Sequence, residues 1–120
     1  MTSKRHGSTE EDWEALESLC KDFLTKCINS KFQSFKGYFF YGISLYRLNA
    51  FEDAVKAFKE AEAIHEEDSQ LHYNLGLAYF KLELYNPAVE HWRRCIRIDP
   101  KSHPFAFSNL AFLLNLHQFY

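Results

Sequence analysis

The sequence predicts an all-α fold of antiparallel helix pairs preceded by one N-terminal helix, and three observations carry that prediction. Residue types recur at an offset of 34 through the centre of the chain. Within each segment the apolar positions fall three and four apart, the period of a helix that buries one face. Four Gly and three Pro leave few turn-formers in 120 residues, while twelve Phe, seven Tyr and two Trp supply bulky side chains for helix packing. That length suits one small domain and is too short for two full-sized cores.

Residues 1–9 are polar and are expected to form a flexible N-terminus, and 10–30 read as an N-terminal capping helix. Ser8 followed by Glu11 is a capping box, and Glu10, Glu11 and Asp12 suit the positive end of a helix dipole. The stripe Trp13, Leu16, Cys20, Phe23, Leu24, Cys27, Ile28 must bury against the next helix, because a lone amphipathic helix of this length is marginal in water. The first repeat, 35–68, should hold helices over 35–48 and 51–65, with Asn49 and Glu52 capping reciprocally between them. The second, 69–102, should hold a helix over 69–82 with Leu71, Leu75, Ala78, Tyr79 and Leu82 on one face. Its partner covers 87–98, with Pro87 in the first turn and Asp99-Pro100 beyond the end. Residues 103–120 read as the first helix of a truncated third repeat.

The repeat is explicit residue by residue. Tyr41-Gly42 aligns with Leu75-Gly76, Leu45 with Tyr79, Phe51 with Tyr85, Ala54 with Ala88, Phe58 with Trp92 and Ala61 with Cys95, all at an offset of 34. Asn109-Leu110-Ala111 answers Asn74-Leu75-Gly76 at 35, the extra residue falling near His103 and Pro104 in a turn. Glycine in mid-helix costs about 1 kcal/mol against alanine, so Gly42 and Gly76 need a packing reason. Close approach of the paired helix at Ala54 and Ala88 is the expected one, with Phe58 and Trp92 as core anchors.

These residues resemble the tetratricopeptide repeat. Leu75-Gly76, Tyr79, Ala88, Trp92 and Pro100 match that family's signature in the second unit, with Cys95 where alanine is usual and His72 in the opening bulky place. Tyr38, Tyr41-Gly42, Leu45, Ala54, Phe58 and Ala61 match in the first, where Glu66 replaces the proline, and Phe107, Leu110-Ala111, Leu114 match in the partial third. The resemblance implies a right-handed α-solenoid in which neighbouring repeats stabilise one another. The third unit would stop before its second helix, so the expectation is a fragment or isoform of a longer repeat protein, or a chain whose open side another subunit covers.

Other function classes find little support. Fourteen Lys and Arg against sixteen Asp and Glu give a net charge of −2, and Arg93, Arg94, Arg97 and Lys101 make too weak a patch for nucleic acid. The apolar run 37–45 closes at Arg47, well short of the roughly 20 residues that span a bilayer, so no membrane insertion is expected. Met1 to Glu10 carry no apolar run that reads as a secretory signal, and Cys20, Cys27 and Cys95 form no CxxC pair. A cytoplasmic location follows, with nuclear or cytoskeletal association through a partner. The histidines His6, His65, His72, His91, His103 and His117 show no metal-ligand spacing, and His91 is expected on the surface beside a buried Cys95. Glu60, Glu62, Glu66, Glu67 and Asp68 read as a solvated face, and no GxGxxG, GxxxxGK or GxSxG occurs. Neither an enzyme, a cofactor nor a metal is expected.

In the family the first helix of each pair lines a concave face that takes a partner's peptide or helix. By correspondence the groove would comprise Lys36, Phe39, Phe40, Ile43, Tyr46 and Arg47, then Gln70, Tyr73, Asn74, Leu77, Phe80 and Lys81, then Phe105, Ser108, Asn109, Phe112 and Leu116. Packing would fall to Gly42, Ala54, Phe58, Ala61, Gly76, Tyr79, Ala88, Trp92 and Cys95. So aromatic a groove suits a hydrophobic peptide or helix, with Asn74 and Asn109 bonding to its backbone, in a scaffold or adaptor. Phe39, Ile43 and Ser108 stand where the chaperone-binding members carry lysine, asparagine and arginine, which argues against a carboxylate clamp. The alternative is a structural subunit whose groove is covered by its own continuation, an identical copy or another subunit, with self-association through the third-repeat helix.

Overall fold

The computed structural model describes the backbone of residues 3–26 and 31–118 and the side chains of 10–26 and 33–115. It contains α1 (Ser3–Lys26), α2 (Lys31–Arg47), α3 (Phe51–Ile64), α4 (Ser69–Lys81), α5 (Tyr85–Ile98) and α6 (Pro104–Gln118), with no strand among the described residues. The fold is all-α. The chain forms two compact units, Met1–Glu66 and Glu67–Tyr120.

In the first unit α2 packs against both α1 and α3. α1 starts at Ser3, so Ser8 and Glu11 lie inside the helix and the capping box does not open it. Residues 3–10 contain no proline, and Gly7 and Thr9 each disfavour a helix by no more than about 1 kcal/mol, which lets it propagate back through the expected flexible segment. Cys20 is buried, Trp13, Leu16 and Leu24 are half-buried and Phe23 is exposed, while Cys27 and Ile28 lie outside the described residues. The α1–α2 contact runs through Gly37, where an added Cβ would meet the Leu24 side chain at 2.7 Å. That close approach escaped the 34-residue alignment, since Gly37 has no glycine counterpart.

The pairs α2–α3 and α4–α5 repeat one packing device. A Cβ at Gly42 would stand 2.5 Å from the Phe58 ring, and one at Gly76 would run into the Trp92 indole. The glycines therefore make room for an aromatic ring, one turn beyond the Ala54 and Ala88 positions expected to need it. Ala54, Ala61, Ala88 and Cys95 are fully buried beside these rings, with Phe58 and Trp92 1% exposed. The indole also donates through Nε1 to the Tyr73 carbonyl at 3.2 Å, a tie that Phe58 cannot make. Ala106 and Leu113 of α6 complete the second unit's core on Ala88, Trp92 and Cys95.

The turns inside the pairs are built alike. Asn49 and Glu83, 34 apart, both take left-handed backbone with φ of 64° and 60°. Ala50 N–H donates to the Leu45 carbonyl and Asn49 N–H to Tyr46, as Leu84 N–H does to Tyr79 and Glu83 N–H to Phe80. This is the Schellman pattern, which satisfies carbonyls orphaned at a helix end. Asn49 thus terminates α2 instead of forming the expected cap with Glu52, and Ala50 precedes α3 with no side-chain cap. α4 does have one, because Asp68 Oδ1 accepts from Leu71 N–H at 2.9 Å.

Gly76→Ala should lower stability by about 1–2 kcal/mol in chemical denaturation, because overpacking against Trp92 outweighs the gain in helix propensity. Glu83→Asn should raise it by about 0.5–1 kcal/mol, since asparagine tolerates positive φ better than glutamate.

Candidate functional site

The described first-helix residues differ in how far internal packing covers them. In the first unit Phe39 is half-buried, 6.0 Å from Phe35, 5.4 Å from Phe40 and 6.2 Å from Phe58 by ring centroids. Tyr46 packs edge-on against Phe51 at 5.3 Å, Ile43 is half-buried, and Arg47 lays its guanidinium 5.4 Å over the Trp13 ring. Lys36 and Phe40 are left on the surface, with Phe40 45% exposed.

These two residues border an open apolar pocket of about 400 Å³ between α1 and α2, lined further by Leu16, Leu19, Cys20, Phe23 and Gly37. Gly37 leaves its floor without a side chain. Leu19 is 64% exposed and Phe23 41%. α1 therefore contributes surface as well as packing, which the family correspondence did not anticipate because it assigns the groove to repeat helices alone. Leu19 was legible all the same: it stands three residues after Leu16 and four before Phe23, on the edge of the same helical stripe.

In the second unit Tyr73, Leu77 and Phe80 are half-buried against the core. Tyr73 stacks on His103 at 5.6 Å, and Phe80 lies 6.0 Å from Trp92 and 5.7 Å from Tyr85. His103 Nε2 is 3.0 Å from Ser69 Oγ, which links the start of α6 to the start of α4. Gln70 and Lys81 are exposed and Asn109 is half-buried. Asn74 Nδ2 is buried without a hydrogen-bond partner among the described residues. On α6, Phe105 and Phe112 are 69% and 58% exposed and Ser108 is exposed, while the Leu116 side chain lies outside the described residues.

Two buried polar side chains, His72 and His91, sit in the second unit. His91 is 5% exposed, contrary to the surface position expected of it, and pairs with His72 through their Nδ1 atoms at 2.9 Å. One imidazole donates and the other accepts. The rings stack at 5.1 Å, with Tyr79 5.6 Å from His91. Nineteen residues separate the two histidines, so no local spacing rule reveals the pair. Burial pushes the Cys95 thiol up to about 11, helped by the Asp99 and Asp68 carboxylates. Cys20 is raised by burial and then by Glu17. Thiols held neutral in this way are inert packing groups.

The Tetratricopeptide repeat family profile matches residues 69–102, and a second profile, TPR repeat, matches 42–83. Together they take in about half of the chain, and the glycine-on-ring contacts fall inside them. The chain belongs to the tetratricopeptide repeat family. Tetratricopeptide repeats are protein–protein interaction modules. No curated protein matches the chain. No helix among the described residues is long and apolar enough to cross a membrane.

At pH 8 an alkylating reagent should leave Cys95 unmodified in the folded protein and label it once denaturant is added. The folded thiol titrates above the 9.0 of an unfolded one, so its contribution to stability is full below about 9 and is lost as pH rises towards about 11. Urea midpoints measured across that range should fall accordingly.

Proposed function

We propose that this tetratricopeptide repeat protein is a scaffold or adaptor that holds an apolar peptide segment or helix of a partner protein, anchored in the α1–α2 pocket. The observation that carries the reading is the open pocket itself, walled by Leu16, Leu19, Cys20 and Phe23 on one side and by Phe40 across Gly37. Large apolar side chains left in solvent are costly, and a bulky anchor seated among them supplies most of an interface's binding energy. The module works by binding alone, in the cytoplasm, with protein as its partner.

Phe39 and Tyr73 are poor positions to test, since both support the core. Phe40 is the better one. Peptides selected from a random display library should carry a Phe, Leu or Trp anchor, and Phe40→Asp should weaken them tenfold or more, about 1.4 kcal/mol or above, with an unchanged melting curve. Equal binding by wild type and Phe40→Asp would count against the pocket.

A further inference from the structure

The cations of the second unit are gathered in one place. Of its five Lys and Arg residues, Arg93, Arg94, Arg97 and Lys101 fall on the C-terminal half of α5 and in the turn after it. Arg93 and Arg97 stand one helical turn apart on the same strip as Glu90, both exposed, and Lys101 is exposed beyond the helix end. The acids nearby are occupied. Glu90 Oε2 accepts from Arg94 Nη2 at 3.0 Å. Asp99 is held by the Ser102 hydroxyl and then by the backbone N–H groups of Lys101 and Ser102, which keep its carboxyl below the ordinary carboxylate range. Arg93, Arg97 and Lys101 make no ion pair among the described residues. Residues 90–101 thus carry four cations against two acids, a net +2 in a chain of −2. The helix dipole does not explain the strip: Arg97 suits the negative end of α5, but that field fades within the last turn and Arg93 lies a turn further back. Like charges four apart on a helix repel, and an anion lodged at each guanidinium group relieves that repulsion.

We propose that Arg93, Arg97 and Lys101 form a docking strip for an acidic segment of a partner protein, with one carboxylate of the segment on each guanidinium group. The spacing fits. Residues four apart on a helix rise about 6 Å along its axis, close to the roughly 6 to 7 Å between alternate residues of an extended chain. Each planar guanidinium takes a carboxylate through two parallel N–H bonds, and Lys101 adds a point charge for a third acid. A nucleic acid is disfavoured, because so few cations release few counterions and the chain's net charge of −2 repels a long polyanion. The strip lies on the second helix of its pair, outside every residue assigned to the groove, and so gives the module a means of holding a partner that is independent of the α1–α2 pocket.

The test is titration of the whole chain with a short peptide of alternating Glu and Ser, followed by NMR of the arginine Nε–H groups. The Arg93 and Arg97 signals should shift with a dissociation constant below about 1 mM at about 50 mM salt, and binding should weaken at least about threefold at about 200 mM. Replacing Glu by Gln in the peptide should abolish the shifts. Arg93→Glu combined with Arg97→Glu should raise the dissociation constant about tenfold or more, and that double variant should instead bind a peptide of alternating Lys and Ser, which a misfolded chain would not do. Lys56→Glu, at an exposed cation of α3, should change nothing. The apolar peptides selected for the α1–α2 pocket should bind the double variant as they bind wild type, so the two sites stand or fall separately. A wild type that does not bind the acidic peptide, a double variant that binds it equally, or a loss as large in Lys56→Glu would each overturn the proposal. So would tighter binding of the strip to single-stranded RNA or to phosphatidylserine vesicles than to the peptide.

Discussion

An aromatic ring lying on a glycine in mid-helix is the contact on which the rest of this molecule depends. Each helix pair is held at the distance set by a ring, Phe58 over Gly42 and Trp92 over Gly76, with no Cβ between ring and backbone. The small residues Ala54, Ala61, Ala88 and Cys95 are buried around those rings, and α6 adds Ala106 and Leu113 to the second. A buried ring of this size stabilises by about 2–3 kcal/mol through area alone, so a defect at either glycine propagates to the elements that rest on the pair. In the second unit the indole N–H bond to the Tyr73 carbonyl adds a directional constraint to the apolar one. It fixes the rotation of α5 and so helps to decide which α4 residues stay at the surface.

The proposed function draws on what this packing leaves over. The first helix of each pair spends one face on its partner and much of another on neighbours: Phe39 on Phe35 and Phe58, and Tyr73 on His103. What remains is discontinuous. The first unit has an apolar pocket where α1 meets α2 across Gly37, and the second has the uncharged helix α6. Protein surfaces of this kind recognise shape and apolar area. Cys20, Cys95, His72 and His91 are all buried.

The pairing of helices was legible in the sequence because it rests on spacings that survive translation by 34 residues: glycine, alanine and aromatic positions all recur. Helix ends were less legible. Asn49 resembles half of an N-cap, but a residue that tolerates positive φ serves equally well to close the preceding helix, and Glu83 in the equivalent place shows that the turn geometry dominates over residue preference. Exposure along the first helix of each pair was legible in outline only. Correspondence with a family assigns a residue to a face, but whether Phe39 or Phe40 is free depends on which neighbours stack against it. The His72–His91 pair joins residues nineteen apart in the chain, beyond any local pattern.

The two tryptophans provide the most direct test of the central contact. Trp92 Nε1–H is bonded and sealed against α4, whereas Trp13 is half-buried on α1 beneath Arg47. Hydrogen exchange of the two indole protons, followed by NMR in native buffer, should show Trp92 exchanging only when its unit unfolds, orders of magnitude more slowly than Trp13. Equal, rapid exchange at both would mean that the ring does not lie closed on Gly76, and the packing described here would be wrong.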